Sequence, residues 1–333
     1  MKFLIAGYGS IGRRHMNNLR ALGEEDILLL RSHQSTLPQD EIAGIPVETS
    51  LEAALAHKPD AVIIANPTAL HLDIAIPCAS SGCSILMEKP ISHSLARVPE
   101  LKEALARGGG GFLTGFQFRF HPGLQQVRQW LAEKAIGRVT TVKSHWGEYL
   151  PGWHPWEDYR SSYSARADLG GGVVNTLCHP LDYLRWMLGE VSQLSAMTSS
   201  DSLNLPVEDT ADILLRFKQG GIANVHLDYL QRPGQHDLLI IGTEGIITWD
   251  NATGFARKYD PTAKTWEPFE PPAGFERNHL FLAEMSHFIR VAKKTEASLC
   301  TLEDGIAALE LTNAVHQSAH EGCLVKFLDK PEE

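Results

Sequence analysis

The run Gly7-Tyr8-Gly9-Ser10-Ile11-Gly12, placed directly after the apolar stretch KFLIA of residues 2–6, constrains this chain more than any other feature. A short apolar run that stops at a glycine, followed by Ile11, Met16, Leu19 and Leu22 near helical spacing and a stop at Gly23, predicts strand, tight turn and helix. In that setting the glycines permit the turn and a close backbone approach, while the helix N-terminus offers unsatisfied N–H groups and partial positive charge to a pyrophosphate. Gly7, Gly9, Ser10, Ile11 and Gly12 are therefore expected to cradle a dinucleotide.

The next hundred residues repeat the same grammar. Apolar runs at 26–31, 60–65, 83–88 and 111–116 alternate with helical patterns at 50–57, near 69–81 and at 94–107. Continuous apolar strands alternating with helices imply a parallel sheet covered on both faces. After about residue 120 the pattern changes to a helix near 122–134 and longer alternating strands at 139–149, 211–217 and 222–230. Such alternation fits a mostly antiparallel, open sheet with one face away from the core. Patterned helices at 277–293 and 302–321 close the chain, and residues 250–275 read as surface strands and turns. The expected organisation is an α/β chain: a Rossmann dinucleotide-binding domain over residues 1–120, then an α/β domain with a large antiparallel sheet over 121–333.

Composition narrows the partners. With 333 residues, 30 Lys+Arg against 40 Asp+Glu, and no charged tail, neither a nucleic-acid footprint nor a polybasic membrane anchor is indicated. The five dispersed cysteines show no Cys/His spacing of a zinc site, so no metal is expected and a reducing cytoplasm is. No stretch approaches the roughly 20 apolar residues needed to span a bilayer.

The second strand bears on which dinucleotide is bound. A carboxylate about 20 residues past the glycines would bind the ribose hydroxyls of NAD. Here the sequence reads Arg31-Ser32-His33. A guanidinium and a hydroxyl suit the 2′-phosphate of NADP, so NADP is preferred over NAD.

Four segments, GYGSIGRRH at 7–15, ANPTALH at 65–71, MEKPIS at 87–92 and LGGGVVNTLCHPLDYLRWMLG at 169–189, carry a resemblance that spans both halves of the chain. Together they resemble the glucose-fructose oxidoreductase, inositol dehydrogenase and rhizopine-catabolism family of NAD(P)-dependent sugar oxidoreductases. The resemblance implies a homodimer or homotetramer formed through the open sheet. It also implies that Glu88, Lys89 and Pro90 sit beside the nicotinamide, with Lys89 catalytic, and that Asn66, Pro67 and His71 line the cofactor.

Oxidising a secondary alcohol by hydride transfer needs a base for the hydroxyl proton and a positive group to hold and polarise the oxygen. Lys89 and His179 are the candidates, and the neighbouring ammonium would help keep the imidazole neutral. Inositol dehydrogenase members read Asp-Thr-Leu-x-His where this chain reads Asn175-Thr176-Leu177-Cys178-His179. Asn175 keeps the hydrogen-bonding capacity without the charge.

Residues 144–163 hold three of the seven tryptophans and three of the seven tyrosines. Aromatic faces stack on sugar rings while polar groups bond the hydroxyls, so Trp153, His154, Tyr159 and Arg160 are candidate contacts, unless the segment is an oligomer interface. Arg119 stands where the family often places a substrate-side arginine. Asp182 reads as a structural partner and Cys178 as a small core residue. The expected function is hydride transfer to or from a secondary alcohol or ketone of a sugar, sugar acid, nucleotide sugar or cyclitol. An NAD-dependent glycosidase of the same architecture and a cofactor-binding regulator are the alternatives.

Overall fold

Buried β-strands at Phe3–Ala6, Ile27–Leu30, Ala61–Ile64, Ser84–Glu88 and Phe112–Gly115 (β1, β2, β4, β5 and β6) stand where the apolar runs predict them. The computed structural model describes residues 1–32 and 42–328. These divide into two units, one of residues 1–32, 42–117, 168–170 and 276–309, the other of 118–167, 171–275 and 310–328.

In the first unit a short β3 (Val47–Glu48) completes a six-stranded sheet in the order β3-β2-β1-β4-β5-β6. Every pairing in it is parallel. This is the Rossmann order, whose topological switch lies between β1 and β4. Leu4, Val62, Ile64, Ile85 and Met87 have essentially no exposed surface, and each such side chain contributes about 1.5–3 kcal/mol of hydrophobic stabilisation. Helix α4 (Val98–Gly108) begins four residues later than its apolar pattern suggests. Pro99 in the first turn accounts for this, since proline lacks only an N–H that the first turn leaves unpaired anyway. Helix α8 (Arg277–Ala292) packs on β5, β6 and α1 (Ser10–Ala21), and Leu302, Ile306 and Leu309 of α9 (Leu302–Glu321) join the same core.

In the second unit nine strands, among them β8 (Val191–Ser199), β11 (Gln235–Gly242), β12 (Ile246–Asp250) and β15 (Val325–Lys326), lie in the order β14-β13-β12-β11-β7-β10-β9-β8-β15. All pairs are antiparallel except β7 (Val139–Gly147) with β10 (Ile222–Asp228). The half-buried alternation read from residues 211–217 appears on β9 (Thr210–Phe217), where Ala211, Ile213, Leu215 and Phe217 are buried and the residues between them exposed. Residues 256–260 and 265–269 form the outer strands β13 and β14. Among the described residues, no helix is long and apolar enough to cross a membrane.

Helix α5 (Pro122–Ala132) is capped by an imidazole: Nδ1 of His121 accepts from the N–H groups of Gly123 at 3.0 Å and Leu124 at 3.4 Å. An accepting nitrogen must carry no proton, and burial pushes the His121 pKa down to about 4. An unfolded histidine titrates near 6.5, so below that pH the unfolded chain takes up a proton that the folded chain refuses. The contribution is complete above pH 6.5 and drains away as pH falls to about 4, a loss of about 3 kcal/mol. His121→Asn keeps a cap acceptor without a titrating ring. Its denaturation midpoint should therefore fall less steeply between pH 6.5 and 4 than that of the parent, and equal slopes would refute this.

Candidate active site

The glycine loop is built as its sequence requires. Gly7 has φ +100°, and a Cβ on it would lie 2.7 Å from the Asn66 nitrogen. A Cβ on Gly12 would lie 2.1 Å from the Gly7 carbonyl oxygen, so the helix and the strand meet through bare backbone. At Gly9 a Cβ would meet nothing within 4 Å. Gly9 is also the N-cap of α1, where no side chain caps the helix and no acidic residue occupies the first turn. An uncapped helix end that opens onto free space fits an anionic pyrophosphate.

At the end of β2, Arg31 is buried, and among the described residues its Nε and both terminal nitrogens have no hydrogen-bond partner. Its guanidinium carbon stands 5.4 Å from the centre of the Tyr8 ring. A buried cation without an anion is costly, so this position fits a bound phosphate. Ser32 beside it is exposed, whereas His33 lies outside the described residues.

After β4 (Ala61–Ile64), Asn66 donates from Nδ2 to the Leu70 carbonyl at 3.2 Å, and its buried Oδ1 has no partner. Pro67 starts the turn of residues 68–70. The ring of His71 is fully buried between two carbonyl oxygens, those of Pro90 at 3.0 Å from Nδ1 and of Asn66 at 2.9 Å from Nε2. Burial lowers its pKa, and a neutral ring donates to one of these oxygens at a time. His71 therefore clamps the loop after β4 to the loop after β5.

Glu88, the last residue of β5, turns inward. Its Oε1 is 2.8 Å from Nε2 of His15 on α1. Burial alone would raise the Glu88 pKa, but the His15 hydrogen bond and the neighbouring charge of Lys89 hold it below the usual carboxylate range. Lys89 follows at the carboxyl end of the parallel strand, joined to Pro90 by a cis peptide bond. Beneath this corner lies Glu284 of α8, wholly buried, with neither carboxylate oxygen hydrogen-bonded among the described residues. Burial and the nearby Glu88 keep its carboxyl protonated well above the ordinary range. Sequence reasoning missed both His15 and Glu284. His15 sits inside the motif GYGSIGRRH, which was its one available signal, while Glu284 has none because its helix pattern does not say which residues face a neighbour.

In the second unit, His179 opens α7 (His179–Leu188) and is almost wholly buried. Phe118 meets its ring edge-on at 4.9 Å and Trp146 lies 5.5 Å away. Beyond Trp146, His236 stacks parallel at 4.3 Å. Asn175, buried on the preceding turn α6 (Val173–Thr176), donates from Nδ2 to the Gly171 carbonyl at 3.4 Å. The backbone N–H of Val174 donates to Glu208 at 3.1 Å, which anchors this turn. Cys178 is a buried core residue.

Arg119, expected to contact substrate, is paired within the fold. It is buried, donating from Nε to Oδ2 of Asp182 at 3.0 Å and from a terminal nitrogen to Oδ1 at 2.6 Å. Asp182 is thus its structural partner.

The aromatic segment after β7 forms a string of single turns at 150–152, 159–161 and 163–165. Trp153 meets Tyr229 edge-on at 5.8 Å, and its buried indole nitrogen has no partner among the described residues. His154 packs beside Trp156, while the exposed Arg160 lies over the Tyr159 ring and pairs with Asp158. A cavity of about 390 Å³ is bounded by Tyr149, Trp153, Gln231, Arg232, Gln235 and His236. Trp153 is the one predicted contact on its wall.

Two family models cover most of the chain. One, described as the oxidoreductase family, NAD-binding Rossmann fold, matches residues 1–116, and the other, described as the GFO/IDH/MocA C-terminal domain, matches residues 124–248. Among curated relatives, D-xylose 1-dehydrogenase (NADP(+)) 2 of Haloferax volcanii is 25% identical over 98% of this chain and 100% of its own length. Myo-inositol 2-dehydrogenase of Thermotoga maritima is 24% identical over 98% of each. Among solved structures, the WlbA dehydrogenase from Bordetella pertussis, crystallised with NADH and UDP-GlcNAcA, superposes with a TM-score of 0.82 at 21% identity, covering 99% of both chains. That last likeness is one of fold.

Proposed function

The chain belongs to the GFO/IDH/MocA family of oxidoreductases, and from that premise we propose that it moves a hydride between a nicotinamide cofactor and a secondary alcohol or ketone of a sugar, sugar derivative or cyclitol. The observation that carries this reading is the uncapped glycine cradle of α1, in the same Rossmann unit as the Glu-Lys-Pro corner that ends β5. Ligands of open α/β sheets bind at the carboxyl ends of the strands, where Lys89 stands.

The cofactor, when bound, supplies the hydride acceptor or donor. Gly7, Gly9 and Gly12 would give it backbone access, and the N–H groups of Ser10 and Ile11 would hold its phosphates. In the oxidation direction the ammonium of Lys89 holds the substrate oxygen and favours the negative charge that grows on it. The neutral imidazole of His179 takes the hydroxyl proton as the C–H electron pair leaves. In the reduction direction the same imidazole, protonated, returns that proton to the carbonyl oxygen. Asn175 acts through hydrogen bonds and holds the turn that presents His179. Trp153, with its cavity and unpaired indole N–H, supplies an apolar wall and a donor of the kind a sugar ring uses.

The preferred cofactor in this reading is NADP, because Arg31 is a buried guanidinium that meets no anion among the described residues. Fluorescence titration with NADPH and NADH side by side should show NADPH binding at least about tenfold tighter, the effect of one charge-assisted pair. Arg31→Asp should reverse the order. Tighter binding of NADH to the parent would end the phosphate reading. Absorbance at the reduced-nicotinamide band, followed over sugars, sugar acids and cyclitols, tests the activity itself. Net cofactor turnover is expected, and cofactor binding without hydride exchange on any of them would overturn the proposal.

A further inference from the structure

One polar row crosses the open face of the nine-stranded sheet. The pairing register sets Asp212 of β9 opposite His226 of β10, His226 opposite His145 of β7, and His145 opposite Asp237 of β11 (Gln235–Gly242). The two imidazoles stack 4.9 Å apart, 19° from parallel. Asp228, two residues beyond His226 and so on the same face, brings Oδ2 to 3.3 Å from His226 Nε2. From the following turn Gln231 places Oε1 against His145 Nε2. One ligand-capable atom from each of His145, His226 and Asp228 lies within 4.8 Å of the others.

We propose that His145, His226 and Asp228, with Gln231 as a fourth donor, bind one divalent transition-metal ion of the zinc type. Two imidazole nitrogens with one carboxylate and one amide oxygen suit zinc and its neighbours, whereas magnesium and calcium take all-oxygen sets. The neighbours of these groups are arranged as ligand supports. His226 Nδ1 is 3.0 Å from Oδ1 of Asp212, so that in the neutral ring a proton held at Nδ1 by that carboxylate leaves the Nε2 lone pair toward Asp228. That is how proteins orient metal-ligating histidines. Asp228 accepts the N–H groups of Leu230 and Gln231 on Oδ1, both at 2.7 Å, leaving Oδ2 for the histidines. Beside them Gly147 leaves the cradle open, since a Cβ there would lie 2.2 Å from Asp228 Oδ2 and 2.4 Å from Gln231 Oε1.

The sequence showed no metal-ligand spacing because the ligands are joined by strand register, not by a local motif. The ion would take no part in hydride transfer. Its consequence is positional: Gln231 also bounds the cavity that holds Trp153 and Arg232, so a bound ion would fix one wall of it.

The test uses the full chain stripped with a chelator, then titrated with Zn²⁺ by calorimetry and with Co²⁺ by visible absorption. One ion per chain is expected, with cobalt bands of a four- or five-coordinate nitrogen and oxygen site. Asp212→Asn should weaken binding by about 10–100-fold, as lost ligand support does, and His145→Gln/His226→Gln should abolish the stoichiometric step while circular dichroism stays unchanged. Absence of a stoichiometric step in the parent, equal affinity in the double variant, or cobalt–thiolate charge-transfer bands would each overturn the site.

Discussion

Replacing Lys89 with methionine is expected to lower kcat by about 10²–10³-fold, the usual cost of removing one preorganised group from a developing charge. His179→Asn is expected to cost about 10²–10⁴-fold, the range for a positioned acid or base. Lys89→Met removes the ammonium, keeps nearly the length of the side chain and adds no charge, and it leaves the glycine loop and Arg31 intact, so cofactor affinity should fall far less than kcat. The two losses should not multiply, because groups that act on one oxygen work as a unit. Single-turnover hydride transfer at saturating cofactor separates the chemical step from product release. A variant at either position within a few-fold of the parent would remove that residue from the mechanism.

Arg119→Leu is expected to destabilise the fold by about 3–5 kcal/mol, because it strands the Asp182 carboxylate in a buried place without its bidentate partner. Replacing both residues, as Arg119→Leu/Asp182→Leu, should recover most of that loss, since buried ion pairs exchanged for apolar residues are often nearly neutral. Urea denaturation of the parent, both single variants and the double variant measures the cycle. The outcome also decides the role of Arg119. A substrate contact would show as a raised KM with unchanged stability, whereas a structural pair shows the reverse.

How far the sequence discloses this molecule depends on whether a feature is local. The parallel strands are legible because each is a short apolar run closed by a turn, and the glycine loop because its spacing is a backbone requirement. Helix α8 is legible as a helix, but nothing in its pattern says that it packs on β5 and β6. The pairing of Arg119 with Asp182 is not legible in the sequence, because the two stand 63 residues apart and meet only through folding. For the same reason the row of Asp212, His226 and His145 is invisible until register aligns three strands. The inward turn of Glu88 toward His15 is likewise a product of packing, across 73 residues of sequence.

That last pair also bears on how such a chain can change over generations. His15 and Glu88 tie the first helix, which follows the glycine loop, to the corner that carries Lys89. A substitution of either one alone leaves a buried polar group stranded, a loss of about 1–3 kcal/mol or more. The two positions are therefore inherited as one character: lineages that abandon the histidine should abandon the glutamate with it, and the passage between the two forms must cross a less stable intermediate.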